Sequence, residues 1–283
     1  MTSLMAEDAI RRALIEDCPT RDITSEATIP ADMRSHVVLR TREDGILSGI
    51  DVAREAFILT DPSITLTPAI HDGDRMRRDD IIATVDGATR GILQAERVAL
   101  NFLQRMSAIA TMTRHFVDAA AKAPNSHARI ADTRKTVPGL RPFDRHAVRC
   151  GGGSNHRYGL SDAVLVKDNH LAAMREAGLD LSEALRHIRS QVGHTTHIEV
   201  EIDGLDQLPM ALRGGADTIM FDNFTLDDIR RGVDMVAGRA LVEASGMMTL
   251  DRIPAVASCG VDIISVGALT HSVRAIDMGL DWR

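Results

Sequence analysis

The chain has 283 residues, 44% of them hydrophobic and 26% charged, which suits two domains or one large barrel with ample length to bury a core. Its formal charge is −7 with one Trp, one Tyr and six Phe, so nucleic acid is not an expected partner. No apolar run approaches the roughly 20 residues of a membrane helix, and three widely spaced cysteines (Cys18, Cys150, Cys259) form no C-x-x-C; the expected location is the cytoplasm.

Residues 4–17 carry a helical pattern with Ile10, Ala13 and Leu14 on one face and Ser3 placed to cap it. The stretch 21–30, RDITSEATIP, has no periodicity and reads as a polar loop. Runs rich in Val, Ile and Leu at 36–41, 45–50, 64–70 and 80–85 read as strands, interrupted by a helix at 51–59. From Gly91 to Lys122 apolar residues recur every three or four positions. A helix this long is expected to break near Ser107–Ala108, which sets domains at 1–107 and 108–283.

After Pro124 short apolar runs alternate with amphipathic helices: 129–132, 163–166, 198–202, 218–221, 240–242 and 263–266. Helices are expected to start at Asp180, with Glu183 completing a capping box, at Thr225 with Asp228, and near Thr249. This alternation implies a parallel sheet with helical crossovers, either a barrel or an open doubly wound sheet. Acid, base or glycine at each strand end (Arg134 and Lys135, Lys167, Glu199 and Glu201, Asp222 and Asn223, Glu243 and Ser245, Gly267) marks the functional face of a barrel, here with about six strands.

Positive charge concentrates between residues 130 and 171, where seven Arg or Lys stand against four Asp in an otherwise acidic chain. Arg134–Lys135, His156–Arg157 and Lys167 each follow an apolar run or the glycines at 151–153, and such groups suit a small, highly charged anion. Of Glu199 and Glu201, alternating on one strand, one is expected to pair with Lys167. Cys150 reads as a packing residue, and His170 as a surface or supporting group.

The segments DTRKTVPGLR (132–141), AVRCGGGSNHRYGLSDAVLVKDNH (147–170), VEID (200–203), FDNF (221–224) and SVGALTHS (265–272) resemble quinolinate phosphoribosyltransferases. With AERVALNFLQRMSAIAT (95–111) and GILSGIDVA (45–53), the likeness covers nearly the whole chain. It implies an α/β fold with an N-terminal α+β sandwich domain and a truncated C-terminal barrel. The implied activity is phosphoribosyl transfer from phosphoribosyl diphosphate to quinolinate with decarboxylation, a step of NAD biosynthesis. The resemblance assigns Arg134, Lys135, His156, Arg157 and Lys167 to substrate binding, with Ser245, Gly246, Gly267 and Ala268 beside the phosphates. Lys135, Lys167, Glu201 and Asp222 are the catalytic candidates, and Glu201 and Asp222 the candidates for Mg²⁺ arriving with phosphoribosyl diphosphate. Arg97 is expected to be supplied by the neighbour in a homodimer with shared active sites, or in a higher oligomer built on it.

One departure stands out. Where the family has a glycine pair, this chain reads EASGMM, and Met247 could obstruct a phosphate. Two other readings follow: a paralogous transferase of the same fold acting on another anionic acceptor, or a non-catalytic ligand-binding descendant.

Overall fold

A computed structural model describes residues 4–282. In chain order the elements are α1 (Leu4–Asp17), α2 (Ile23–Thr28), β1 (Arg34–Thr41), β2 (Gly45–Ile46), α3 (Ile50–Thr60), β3 (Thr65–Pro68), β4 (Arg75–Met76), β5 (Ile81–Ala88) and α4 (Thr89–Ala120). Then follow β6 (Arg129–Ala131), α5 (Arg141–Cys150), β7 (Val164–Val166), α6 (Asp168–Glu176), α7 (Leu181–Gln191), β8 (Ile198–Ile202), α8 (Leu208–Gly214), β9 (Thr218–Asp222) and α9 (Leu226–Val236). The chain closes with β10 (Leu241–Ser245), α10 (Ile253–Ala257), β11 (Ile263–Ser265), α11 (Ala268–His271) and β12 (Met278–Trp282). No helix among them is long and apolar enough to cross a membrane.

These elements form two compact units. One holds the chain up to Arg114 together with Thr136–Gly152 and the segment from Leu269 onward; the other holds His115–Lys135 and Gly153–Ala268. The first is organised by an antiparallel sheet in the order β12-β1-β5-β3, with β2 and β4 as a separate short pair. Val37, Leu39, Ile82 and Val85 of this sheet are buried, as are Phe57 of α3 and Ile92 and Leu103 of α4. Strand β12 carries too short a pattern to be read as a strand from sequence; its pairing along β1, from Val37↔Trp282 to Thr41↔Met278, makes it one.

The expected break near Ser107–Ala108 is absent, and α4 runs unbroken for 32 residues. No Gly or Pro interrupts 92–120. Ser107, fully buried, accepts a hydrogen bond from the Ser48 N–H at 3.1 Å and donates to the Ser48 carbonyl at 3.2 Å, so the polar group at the suspected break is used without leaving the helix. The stretch 21–30 is not all loop: Asp22 accepts from the Ser25 N–H at 3.0 Å and caps the six-residue α2. The run 45–50 is strand only at Gly45–Ile46, because Asp72 accepts from the N–H groups of Gly49 and Ile50 and opens α3 there. Ser3, the expected cap of α1, lies outside the described residues.

The second unit is built on six parallel strands in the order β6-β11-β10-β9-β8-β7, the truncated barrel expected, two strands short of a full (β/α)8 barrel. The register sets Glu199 opposite Thr218, Glu201 opposite Met220, and Met220 in turn opposite Glu243. Ser245 sits opposite Asp222. Because side chains alternate along a strand, residues at these positions share one side of the sheet. The opposite side is apolar, with Val200, Ile219, Val242 and Ile264 all buried. Helix α7 starts as expected, Asp180 accepting from the Glu183 N–H at 2.7 Å while the Glu183 carboxylate accepts from the Asp180 N–H. Helix α9 starts at the Thr225 cap. Helix α10 starts at Ile253 instead of near Thr249: residues 249–252 form a turn closed by Arg252 N–H to Thr249 O, and Pro254 stands in the first helical turn.

Candidate active site

A cavity of about 410 Å³ opens at the C-terminal ends of the barrel strands, lined in part by Arg134, Lys135, His156, Arg157, Lys167 and Glu201. Asp222, Ser245 and Ser265 complete its polar wall, with Thr133, Leu165, Met220 and Glu243. Chain order scatters these groups over more than 130 positions; parallel strands bring them together by ending on one side.

Each charged side chain is held by a local device. Asp132 is fully buried just past β6, and its carboxylate accepts from the His156 N–H at 2.7 Å and from Nδ2 of Asn155 at 2.6 Å. The loop after the three glycines is thereby tied to the end of β6, which sets His156 and Arg157 beside Arg134 and Lys135. Arg157 donates to the Ala163 carbonyl at 3.1 Å. Its pKa is lowered by burial first and then by the charge of Arg134, the mark of cations gathered closely on one wall. The Lys167 N–H donates to Nδ1 of His170 at 3.0 Å, so His170 fixes the backbone that carries the lysine. Lys167 Nζ donates to Glu201, which resolves the alternation on β8: Glu201 pairs with the lysine and Glu199 does not. Asp222 accepts from Nδ2 of Asn223 at 2.8 Å.

Glu199 points instead at the back of the cavity. Its Oε2 lies 3.1 Å from Nε2 of His156, and Oε2 of Glu243 lies 3.6 Å from the same nitrogen. Nδ1 of that ring accepts from the Arg157 N–H at 2.7 Å, which leaves Nε2 as the donor toward Glu199. Burial opposes the imidazolium, but the hydrogen bond to Glu199 and the charges of Glu243, Glu199 and Asp132 outweigh it and raise the His156 pKa. Glu243, 1% exposed, is pushed up to about 8 by burial and then by the charge of Glu199. Behind this cluster a second cavity of about 370 Å³ is lined by residues near the strand starts, including Arg129, Thr218, Leu241 and Ile263. His156, Arg157 and Glu243 line both cavities and form the partition inside the barrel, while Glu199 lines the rear one alone.

Four expected site residues lie off the cavity wall. Gly246, Gly267 and Ala268 sit in the turns after β10 and β11 without lining it, and Arg97 is exposed on α4 in the other compact unit. The three glycines at 151–153 do not line it either. Gly151 closes α5 and packs against α4, where a Cβ would meet the Ala110 carbonyl at 2.4 Å. Met247 does not line the cavity; the residue is 84% exposed and its backbone lies in the left-handed region at φ 38°. Gly246 just before it is irreplaceable on steric grounds, since its φ is 91° and a Cβ would stand 2.1 Å from Oδ1 of Asn223. Ser265 and Thr133 are cavity residues that the sequence reading did not select, and Glu243, read there only as the acid at its strand end, also lines the cavity.

The two halves of the chain match two family models, the quinolinate phosphoribosyl transferase N-terminal domain over residues 22–107 and the C-terminal domain over 109–281. The chain belongs to the quinolinate phosphoribosyl transferase family. It is 42% identical to a nicotinate-nucleotide pyrophosphorylase [carboxylating] of Mycobacterium leprae, over 98% of this chain and 96% of that one. It is 39% identical to a probable nicotinate-nucleotide pyrophosphorylase [carboxylating] of Bacillus subtilis, over 99% of this chain and 94% of that one. Among solved structures, NadC from Streptococcus pyogenes superposes with a TM-score of 0.93 at 36% identity, over 100% of this chain and 99% of that one. In this member of the quinolinate phosphoribosyl transferase family, the motifs DTRK, NHR and KDN all deliver their cations to the one cavity at the strand ends.

Proposed function

We propose that this protein transfers the phosphoribosyl group of phosphoribosyl diphosphate to quinolinate and releases CO₂, giving nicotinate mononucleotide and diphosphate for NAD biosynthesis. The observation that carries the reading is the convergence of Arg134, Lys135, His156, Arg157 and Lys167 on one cavity with Glu201 and Asp222 opposite. Quinolinate brings two carboxylates, and forked guanidinium and ammonium donors pair with them. In the reaction the C1′–oxygen bond to diphosphate breaks and the pyridine nitrogen bonds C1′. The positive charge that grows on the ribose is stabilised by Glu201 and Asp222, held in place by Lys167 and Asn223. The cationic ring then takes up the electron pair as the adjacent carboxylate leaves as CO₂, and that ring carbon gains a proton. No covalent nucleophile is needed.

Glu201 and Asp222 offer oxygen donors to the same cavity, the ligand chemistry that Mg²⁺ takes. They would hold the ion, which on binding would neutralise part of the diphosphate charge. Lys135 and Lys167 serve as point charges for departing and arriving anions. The working unit in this reading is a cytoplasmic homodimer with Arg97 supplied by the neighbour.

The test is incubation of the full chain with quinolinate, phosphoribosyl diphosphate and Mg²⁺. CO₂ and nicotinate mononucleotide in equal amounts are expected; neither product from an enzyme that binds both substrates would overturn the reading.

A further inference from the structure

Away from this cavity, in the unit that carries the antiparallel sheet, Asp72, His146 and Cys150 turn their donor atoms toward one point. Nε2 of His146 is 2.6 Å from Oδ2 of Asp72, and Sγ of Cys150 is 4.0 Å from the same oxygen. One ligand atom from each residue lies within 4.8 Å of those of the other two. His146 and Cys150 stand four apart on α5, the spacing that puts two side chains on one helical face. Asp72 comes from the turn before β4, 74 positions away from His146. We infer that Asp72, His146 and Cys150 form a binding site for a borderline-soft divalent cation of the Zn²⁺ type, with water completing the shell.

Three features argue for a metal rather than an ion pair with a bystander thiol. First, a tetrahedral Zn²⁺ with bonds of about 2.0 Å to N and O and about 2.3 Å to S sets N and O about 3.3 Å apart, and S and O about 3.5 Å apart. The N–O spacing of 2.6 Å and the S–O spacing of 4.0 Å differ from those values by about 0.7 and about 0.5 Å. Second, the carboxylate is already oriented from behind, since Oδ1 of Asp72 accepts from the N–H groups of Gly49 at 2.9 Å and Ile50 at 3.0 Å. Outer hydrogen bonds of this kind are what aim a metal ligand, and they leave Oδ2 for the cation. Third, the donor set suits such an ion: an imidazole nitrogen and a sulfur from one helical face and a carboxylate oxygen facing them are the ligand types that Zn²⁺ takes. The thiolate selects against Mg²⁺ and Ca²⁺, which take oxygen ligands. None of the three residues lines the cavity proposed for catalysis, so the site stands apart from that chemistry. A bound ion would fasten α5 to the turn before β4.

The test uses the full chain, stripped of metal and titrated with Co²⁺ as a spectroscopic stand-in. The expected result is a cobalt–thiolate charge-transfer band saturating at one equivalent, abolished by an equivalent of Zn²⁺. Cys150→Ser removes the band, with Cys150→Ala in its place should the serine variant not fold. His146→Gln weakens Co²⁺ binding by at least about tenfold. Zn²⁺ also raises the thermal midpoint of the wild type and not that of the Cys150 variant. Mg²⁺ gives no such band, so the outcome is independent of whether the enzyme turns over. Absence of the band in the wild type, or a band unchanged in Cys150→Ser, overturns the proposal.

Discussion

Nε2 of His156 stands 3.1 Å from Oε2 of Glu199, so an imidazole proposed to meet the substrate is held from behind by a buried carboxylate. A second buried acid, Glu243, approaches the same nitrogen at 3.6 Å. Burial and the Glu199 charge push Glu243 up to about 8 from its ordinary 4.5. Across that window the unfolded chain gives up a proton that the folded chain keeps, so Glu243 makes the fold less stable as pH rises from 4.5 through 8. Glu243→Gln is a neutral replacement of similar shape and should remove this loss. Relative to wild type its denaturation midpoint should improve steadily between pH 5 and about 8. Parallel midpoint curves for the two proteins would show that Glu243 is ionised at neutral pH.

The cations in front of that cluster give a second expectation. Arg157 and Lys135 line the same cavity, and the Arg157 pKa is lowered by burial and by Arg134, so this wall is short of negative charge. Arg157→Ala or Lys135→Ala should cost roughly 2–5 kcal/mol of quinolinate affinity with the fold intact. Calorimetric titration with quinolinate reads it, and near-wild-type affinity in either variant would remove that residue from the binding wall.

The six barrel strands were legible because each is a short apolar run ending in a charge or glycine, and a parallel sheet turns that linear pattern into one face. The Asp180 and Thr225 caps were legible for the same local reason. What depended on distant contact was not. Nothing near residue 280 signals that Met278–Trp282 will pair with β1. Nothing near Ser107 says that its hydroxyl will be occupied by Ser48, which keeps α4 whole. Glu199 and Glu201 look alike in sequence, and only the cavity wall separates the one that meets Lys167 from the one that meets His156.

Met247 yields a prediction about stability rather than catalysis. Its φ of 38° lies where a non-glycine residue is strained, and the methionine, 84% exposed, contributes little packing. Left-handed backbone costs such a residue about 1–2 kcal/mol, and glycine returns about 0.5–1 kcal/mol of that as lost chain entropy. Met247→Gly should therefore stabilise the protein by up to about 1 kcal/mol and leave the affinity for phosphoribosyl diphosphate unchanged. A tighter phosphoribosyl diphosphate complex would mean that the methionine turns into the site when substrate arrives.

His146 supplies a pH signature in the metal-free protein. Its hydrogen bond to Asp72, aided by Cys150 and opposed by burial, raises its pKa from 6.5 to about 9. The folded state therefore keeps a proton that the unfolded state loses, and the stabilisation is complete below pH 6.5 and gone above about 9. His146→Gln should flatten the fall in stability over this window while lowering stability at pH 6. An unchanged slope in the variant would place the titration elsewhere.

Arg97 bears on the proposed dimer. It is exposed on α4 in the unit apart from the barrel, and every lining residue of the catalytic cavity comes from the barrel unit itself. If a neighbour supplies Arg97, Arg97→Ala and Lys135→Ala are separately inactive but complement when subunits exchange. A heterodimer of the two then collects both lesions in one site and leaves the other site whole. With random pairing about half the dimers are mixed, each with one good site of two, so about a quarter of wild-type activity should return. If Arg97 acts within its own chain, every site of the mixed dimer carries one lesion and nothing is recovered. Subunit exchange followed by mass spectrometry, run beside the CO₂ assay, makes the two outcomes distinct: exchanged dimers that stay inactive would defeat the shared site.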